Sequence, residues 1–367
     1  MSRTIAPEEA SAAQDAAVAP CPDETALDVV VHRTPEAFDL PEWPDLLARD
    51  PDRHVFATPE WNRTWWEEFS SGKELLVLEL RRGGETTAIV PLYRKEEDGR
   101  GILRFVGGID LTDYIGPVCA PDDRRAVAAA LVTWLRSGEV EWDELDGHNM
   151  PVPLGFAEYL VERADTCDFR FALDQEETAA VLRLPEEWDA YLAGLDSKER
   201  HELKRKRRRL YRDHPDAVFR TATPETLEGD MKTFVDMHRG AEGLKGHFMR
   251  PEVATFFERM ATTFMPLGWL RLDFLEVGGR AVASTFGFEL DRVFYLYNSA
   301  YEPDAGRLSP GLMLVSSLVE GCIERGFERF DFLRGPERYK YQLGSEAVPL
   351  NNVRVIRSAS AGPPANG

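Results

Sequence analysis

The feature of this sequence that most restricts its fold is an ordered series of segments that occurs twice. The first series begins with a helical pattern, "PEWNRTWWEEF" (59–69), followed by two strand-like runs joined at Gly83 and Gly84. It continues with the helical "DDRRAVAAALVTWLRSG" (122–138) and the strand-like "WDELDG" (142–147). A glycine pair between apolar runs predicts a hairpin, because glycine adopts positive φ without steric cost.

The second series repeats these segments in the same order. It consists of the helical "PEVATFFERMATTF" (251–264), a hairpin at Gly278 and Gly279, the helical "SPGLMLVSSLVEGCIERG" (309–326) and the strand-like "FDFLRG" (330–335). Each series therefore reads as helix, antiparallel hairpin, helix and strand. The sequence predicts two copies of one α/β unit; a coincidence of common segment types is the alternative.

The ends of the chain differ in composition from the repeated part. Residues 1–27 are rich in alanine, proline and acidic residues without an amphipathic period, and residues 358–367 are small and polar. We expect both tails to be disordered. The folded part is then expected to comprise an N-terminal domain at 28–176 and a C-terminal domain at 177–357.

Composition excludes several classes of protein. The 367 residues carry a formal net charge of −20, so most of the surface should repel a phosphate backbone, and a general nucleic-acid binder is not expected. The four cysteines lie far apart and form no CxxC pair, which indicates neither a zinc site nor a disulfide scaffold. No apolar run approaches the roughly 18 residues of a membrane span, and the N-terminal residues lack the basic and apolar regions of a signal peptide. We expect a cytoplasmic protein that binds no metal.

Several motifs occur in the order typical of one protein family. "TPEWNRTWWEEF", "AIVPLY", "FVGGIDLTDY", "SKERHELKRKRRRL" and "ERYKYQLG" resemble the CelD-type acetyltransferase-like proteins of the GNAT superfamily, which are relatives of the FemABX aminoacyltransferases. The resemblance covers about residues 28–357. It implies an α/β (α+β) fold of two tandem GNAT domains, each a mixed central sheet flanked by helices. It also implies direct transfer of an acyl group from a thioester or ester donor to an amine or hydroxyl, and we expect acyl-CoA as the donor.

The sequence departs from that family in two respects. The usual acyl-CoA loop, Gln/Arg-x-x-Gly-x-Gly/Ala, is replaced by "RLSPGLM" (307–313), which contains one glycine. The coiled-coil insertion common in enzymes that use aminoacyl-tRNA is absent, which argues against a tRNA substrate. Two alternatives stay open: a FemABX-type aminoacyltransferase using aminoacyl-tRNA, and a non-catalytic protein that binds an anionic polymer or partner.

The two copies differ where the later helix begins. In the first copy Asp122 and Asp123 lie in the first helical turn, where a ligand phosphate would be repelled. In the second copy Ser309, Gly311 and Leu312 surround a proline and no acid is close, which indicates a cradle for the donor's phosphates. An ordinary Ser-Pro helix start is the alternative.

The segment "FDFLRGPERYKYQLG" (330–344) contains three further candidates. Asp331 lies within an apolar strand and must be paired; it could activate a nucleophile or cap a loop. Arg334 leaves the strand end, where ligands bind in open α/β sheets. Lys340 lies in a predicted loop and matches a lysine that the family resemblance associates with ligand phosphate or developing negative charge.

One strand-like run offers a tyrosine for catalysis. Period two in "VFYLYNSAY" (293–301) predicts that Tyr295, Tyr297 and Ser299 share one face. The resemblance implies that a tyrosine such as Tyr297 could protonate the leaving group; packing is the alternative.

A strongly basic run, residues 197–213, contains nine Lys or Arg against two Glu. On a helix, Leu203 and Leu210 form a buried stripe, and Lys206 and Arg207 lie on the same side. These two bases could hold a substrate anion, or they could pair with the protein's own surplus acid. Both interpretations stay open.

Acceptor contacts are expected from "MHRGAEGLKGHF" (237–248), which contains His238, Arg239, Lys245 and His247 in a glycine-rich setting. The acceptor itself, a small molecule or a polymer precursor, is not determined by the sequence, and neither is the oligomeric state.

Overall fold

The computed structural model describes residues 27–167, 169–240 and 248–357. The chain divides into two compact units. The first unit comprises the chain up to Trp66, Ser70–Glu177 and the chain from Pro349 onward, and the second comprises Glu67–Phe69 and Thr178–Val348.

The elements follow the predicted order. The segments up to residue 183 are β1 Asp28–His32, α1 Trp43–Ala48, α2 Pro59–Phe69, β2 Lys73–Arg82, β3 Glu85–Glu97, β4 Arg100–Phe105, β5 Val118–Cys119, α3 Arg124–Ser137, β6 Glu144–Pro151, α4 Phe156–Asp165 and β7 Arg170–Arg183. The segments after it are α5 Trp188–Gly194, α6 Ser197–Asp213, β8 Val218–Thr221, α7 Leu227–Arg239, α8 Pro251–Phe264, β9 Leu270–Val277, β10 Arg280–Leu290, β11 Val293–Tyr301, α9 Pro310–Glu324, β12 Arg329–Arg334, α10 Arg338–Gln342 and β13 Glu346–Ile356.

The predicted duplication is confirmed. Both helix–hairpin–helix–strand series are present, with hairpins β2–β3 and β9–β10 turning at the two glycine pairs. All four of these glycines have positive φ, between 59° and 88°, which explains the residue type. The corresponding aspartates differ in placement: Asp143 immediately precedes β6, whereas Asp331 is the third residue of β12.

Each unit contains a mixed sheet. The first has the strand order β1-β2-β3-β4-β6-β13, with β5 beside β3; among the described pairs of this unit, β4 and β6 run parallel and the others antiparallel. The second has the order β8-β9-β10-β11-β12-β7; among its described pairs, β11 and β12 run parallel and the others antiparallel. The last strand of the polypeptide, β13, thus pairs with β6 in the first unit.

Each sheet is covered by the later helix of its series. In the second unit, α9 buries Val315, Val319 and Cys322 together with Phe294 and Phe330 of the strands. The spacing of the three helix residues, four and three apart, presents one apolar stripe to the sheet. None of the helices in the described part of the chain has the length and apolar character that a bilayer crossing requires.

Candidate functional site

The two parallel strands of the second unit separate part of the way along their length. β11 pairs with β12 at Val293–Arg329, Phe294–Phe330 and Tyr295–Asp331, and no later pair is present in the described chain. Both strands nevertheless continue, to Tyr301 and Arg334. Backbone groups on the facing edges therefore leave the β11–β12 ladder, and those of β11 can bind a ligand.

A β-bulge lies on the other edge of β11 at the same level. The pairing with β10 passes from Phe286–Asn298 to Gly287–Leu296, so the register of the ladder shifts by one residue at Tyr297. Tyr297 is thus the bulged residue, beside the point where β11 leaves β12. Bulges commonly redirect a strand next to a functional site.

The bulge makes the prediction of a shared face for Tyr295, Tyr297 and Ser299 wrong. Tyr295 is paired with Phe288, whereas Ser299 is paired with Thr285, three positions earlier on β10. Phe288 and Thr285 are three residues apart on β10 and therefore face opposite sides of the sheet. Because paired residues face the same side, Tyr295 and Ser299 also face opposite sides.

The ring of Tyr297 packs among aromatic side chains. Its centroid lies 5.4 Å from that of Phe257 and 5.6 Å from that of Phe288. The side chain of Tyr297 therefore contributes to packing, which was the alternative left open by the sequence.

The first turn of α9 follows β11 through a short 3₁₀ turn, Pro303–Leu308. Ser309 is the N-cap, adopts a left-handed conformation (φ 53°, ψ 51°), and makes no capping bond through its side chain. Pro310 has no amide hydrogen, and the first turn contains no acid. The amides of Gly311 and Leu312 therefore lie at the positive end of the helix dipole without an acidic side chain in that turn.

At the corresponding positions of the first unit, charged side chains occupy both the helix start and the space between the parallel strands. The turn before α3 contains Asp122 and Asp123, and Asp123 is paired with Arg82 at 2.8 Å. β4 and β6 pair at Ile102–Glu144 and Leu103–Leu145. The next residues, Arg104 and Asp146, are joined by a 2.8 Å ion pair between Nε and Oδ2. In the second unit the residues after the last pair are the apolar Leu296 and Phe332.

Asp331 supports the end of β12. Its side chain is buried, and Oδ1 accepts a 2.8 Å hydrogen bond from the amide of Leu333. Leu333 has φ of 58°, a conformation that costs energy for a residue with a Cβ. This aspartate hydrogen bond stabilises the bend with which β12 ends, which agrees with the loop-capping alternative.

Lys340 lies in helix α10 and not in a loop as predicted, and only 3% of the residue is exposed. Its Nζ donates to the carbonyl oxygens of Leu333, Arg334 and Gly335 at 3.3, 2.5 and 3.3 Å. It also pairs with Glu337 at 2.9 Å. The ammonium group of Lys340 thus donates its hydrogen bonds to acceptors of this chain, among them the carbonyl oxygen of Arg334.

Tyr339 is a candidate that the sequence analysis missed. Its hydroxyl is hydrogen-bonded to the side chain of Ser299 on β11, and burial raises the pKa of the phenol. Its ring lies 6.2 Å from that of Phe332 on β12. A neutral phenol is therefore held beside both separated strands. The available signal was its position next to Lys340 in "ERYKYQLG".

His238 is buried, with 2% of the residue exposed, which does not suit the predicted contact with an acceptor. Its Nδ1 lies 3.0 Å from the carbonyl oxygen of Phe234, and its Nε2 lies 2.8 Å from Oδ1 of Asn298 on β11. Arg239 is exposed, with Nε 3.5 Å from the carbonyl oxygen of Met249. Lys245 and His247 lie outside the described residues.

Helix α6 buries Leu203 and Leu210, as predicted. Arg207 pairs with Glu320 of α9 at 2.8 Å, and Lys206 lies 3.7 Å from Glu202. Arg207 is thus paired with one of the protein's own acids, whereas Lys206 lies near Glu202, which Arg205 holds more closely at 2.7 Å.

Other bases of α6 remain available to a partner. Lys204 and Arg208 are exposed, and neither forms an ion pair with a described acid. The described residues also contain no cluster of His, Cys, Asp and Glu suited to a metal ion.

Comparisons with known proteins agree with this architecture. Residues 197–341 match the family model of the acetyltransferase (GNAT) domain. No curated protein matches the chain. The crystal structure of FemX is 11% identical, with a TM-score of 0.63, covering 89% of this chain and 96% of its own.

Two further solved structures are similar. The C-terminal domain (DUF2156) of a putative lysylphosphatidylglycerol synthetase from Agrobacterium fabrum is 13% identical, with a TM-score of 0.54, covering 89% of this chain and 94% of its own. A tandem GNAT protein from the clavulanic acid biosynthesis pathway is 14% identical, with a TM-score of 0.50, covering 92% and 99%. The fold is therefore that of the tandem GNAT proteins, and residues 197–341 are similar to the acetyltransferase (GNAT) domain.

Proposed function

We propose that the second unit transfers an acyl group, acetyl in the simplest case, from acyl-CoA to an amine or hydroxyl of a small molecule or polymer precursor. We also propose that the chain is of the CelD type. The main support is the separation of β11 from β12 beside an acid-free helix N-terminus. That combination supplies a slot for an extended thioester and a site for its phosphates.

The phosphates are expected at the first turn of α9. The amides of Gly311 and Leu312 would donate to them, and Ser309 has a hydroxyl that is not used as a cap. A Cβ built on Gly311 would meet its nearest atom, Cδ1 of Tyr301, at 3.7 Å, so this turn has space around it. Arg334 lies at the end of β12, the strand facing β11, and its positive charge could attract the donor's phosphates.

The acyl carbonyl is expected between the separated strands. Backbone amides of β11 at the bulge, next to Tyr297, could donate to its oxygen as negative charge develops. The acceptor's lone pair attacks the carbonyl carbon, the carbon–sulfur bond breaks, and the acceptor's proton passes to solvent. Tyr339, which burial keeps as a neutral phenol, would give its proton to the leaving thiolate and would then regain a proton from solvent.

Two of the cysteines support direct transfer without an acyl-enzyme. Cys119 and Cys322 are buried, and burial raises the pKa of each thiol to about 12. A thiolate nucleophile is therefore disfavoured at both positions.

A second candidate is aminoacyl transfer from a donor carried on RNA. It is supported by the exposed Lys204 and Arg208 on α6, which have no acidic partner among the described residues, and by the similarity of the fold to FemX. Phosphates of a polynucleotide strand would satisfy such bases.

Calorimetry with acetyl-CoA, coenzyme A and aminoacyl-tRNA separates the two candidates. We expect acetyl-CoA to bind, and we expect Tyr339→Phe to slow thiol release in the presence of an amine panel while leaving acetyl-CoA affinity unchanged. If the folded protein binds aminoacyl-tRNA but not acetyl-CoA, the first candidate is rejected in favour of the second.

A further inference from the structure

The buried His238 has hydrogen-bond acceptors at both ring nitrogens. A backbone carbonyl can only accept, so the 3.0 Å contact with Phe234 requires a hydrogen on Nδ1. The 2.8 Å contact of Nε2 is with Oδ1 of Asn298.

The orientation of the Asn298 amide is fixed by a second contact. Oδ1 of Asn298 accepts a 2.7 Å hydrogen bond from the amide of Ser299. If the amide were rotated, its NH₂ group would face this N–H, donor against donor. Oδ1 therefore faces both neighbours, and Nε2 of His238 must also carry a hydrogen.

A doubly protonated ring at this position has a physical compensation for its burial. His238 lies in the last turn of α7, where the helix dipole favours a cation. The ring also lies against Phe234, with centroids 4.3 Å apart. A cation near an aromatic ring gains a further favourable interaction.

The contacts continue to the proposed proton donor. Asn298 faces α7, whereas the next residue, Ser299, faces the other side of the sheet and is hydrogen-bonded to Tyr339. The hydrogen bond between His238 and Oδ1 of Asn298 thus attaches β11 to α7 immediately after the bulge at Tyr297, and the bond from the Ser299 amide orients the Asn298 side chain. The orientation of Ser299, and with it that of Tyr339, depends on this attachment.

We propose that His238 is an imidazolium and that, with Asn298, it positions β11 and Tyr339 for acyl transfer. Both are positioning residues, since neither is placed against the reacting atoms. The catalytic consequence rests on the proposed function, whereas the protonation state and the attachment of β11 do not.

The decisive measurement is ¹⁵N NMR of the full-length protein at pH 7, with His238 assigned by comparison with His238→Phe. We expect both ring nitrogens to carry hydrogen. A signal with one unprotonated nitrogen overturns the inference, whether or not acetyl-CoA binds.

Amide hydrogen exchange measures the attachment directly. We expect His238→Phe, which keeps an aromatic ring but no donor, to speed exchange of the Ser299 amide at least tenfold. Asn298→Asp keeps the acceptor and should leave this exchange slow, while Asn298→Leu should resemble His238→Phe. Equal exchange in all variants overturns the inference even if one of them is less stable.

Kinetics then test the role in catalysis. With acetyl-CoA, His238→Phe should lower kcat at least tenfold with little change in KM, and Asn298→Asp should retain most of the kcat. If wild-type protein fails to use acetyl-CoA, the proposed function fails and the two NMR results still decide the inference. An unchanged kcat in His238→Phe removes the positioning role.

Discussion

Nζ of Lys340 lies 2.5 Å from the carbonyl oxygen of Arg334, six residues earlier in the chain. The same ammonium group also donates to Leu333 and Gly335, so one buried cation gathers three consecutive carbonyls where β12 ends. β11 no longer pairs with that segment in the described chain, so carbonyls on this edge need other donors. Lys340 therefore fixes the edge of the strand that separates from β11.

Replacing Lys340 by Met should destabilise the protein by about 2–4 kcal/mol, because buried carbonyls lose a charged donor. The matched control is Lys198→Met on α6, where the lysine is exposed and the change should stay within about 0.5 kcal/mol. Chemical denaturation monitored by circular dichroism measures both. Normal stability of Lys340→Met together with lost donor binding would instead assign this lysine to ligand contact, as its sequence motif suggested.

Introducing a charge at Gly311 tests the phosphate site. Gly311→Asp should weaken acetyl-CoA binding about fivefold, or about 1 kcal/mol, because a carboxylate would oppose the phosphates at a helix N-terminus. Gly311→Asn has nearly the same size without the charge and should bind almost normally. Calorimetry compares the two, and equal affinities would place the phosphates elsewhere.

The elements of the fold could be predicted because their signals are local. The glycine pairs at 83–84 and 278–279 mark both hairpins, and the apolar spacing in 251–264 marks a helix without reference to the rest of the chain. The pairing of β13 with β6 in the first unit could not be predicted, because strand pairing depends on contacts far apart in sequence.

The candidate site was harder to predict for the same reason. The bulge at Tyr297 exists only relative to β10, so strict alternation placed Ser299 on the wrong face. The burial of Lys340 depends on the bend at Leu333, which the sequence does not reveal. Helix α6 has strong periodicity, and so the burial of Leu203 and Leu210 was predicted correctly.

Stability at low pH should depend on Glu79 in β2. Burial alone would raise its pKa, but hydrogen bonds from Arg81, Thr86 and His32 lower it to about 2, compared with about 4.5 in the unfolded chain. A carboxyl whose folded pKa is lowered stabilises the protein above the unfolded pKa, and this contribution is lost as the pH falls.

We therefore expect the free energy of unfolding to fall between about pH 4.5 and pH 2, and Glu79→Gln to flatten that decline. Glu85→Gln, at an exposed position of β3, serves as the control and should leave the decline intact. Denaturation at a series of pH values provides the measurement. An identical slope for Glu79→Gln and the wild type would contradict the assigned role.

The basic helix α6 allows a comparison in which the removed charge is constant. Lys206→Gln/Arg207→Gln removes the bases paired with Glu202 and Glu320, whereas Lys204→Gln/Arg208→Gln removes two exposed bases without ion pairs among the described residues. The first double variant should lose about 0.5–1 kcal/mol of stability, less at high salt, and little affinity for a partner.

The second double variant should be as stable as the wild type. If α6 contacts RNA, it should bind single-stranded oligouridylate more weakly, with the salt dependence of log K reduced by about 1.4, or about 0.7 for each lost phosphate contact. Fluorescence anisotropy over a salt series measures this. Equal losses of RNA affinity in both variants would indicate that the overall positive charge of α6 attracts RNA without a defined contact. If the wild-type protein binds no RNA, a donor carried on RNA is ruled out. With either result, the ion pair between Arg207 and Glu320 would be the one role assigned to the bases of α6. The stability of the first double variant tests that role independently of RNA binding.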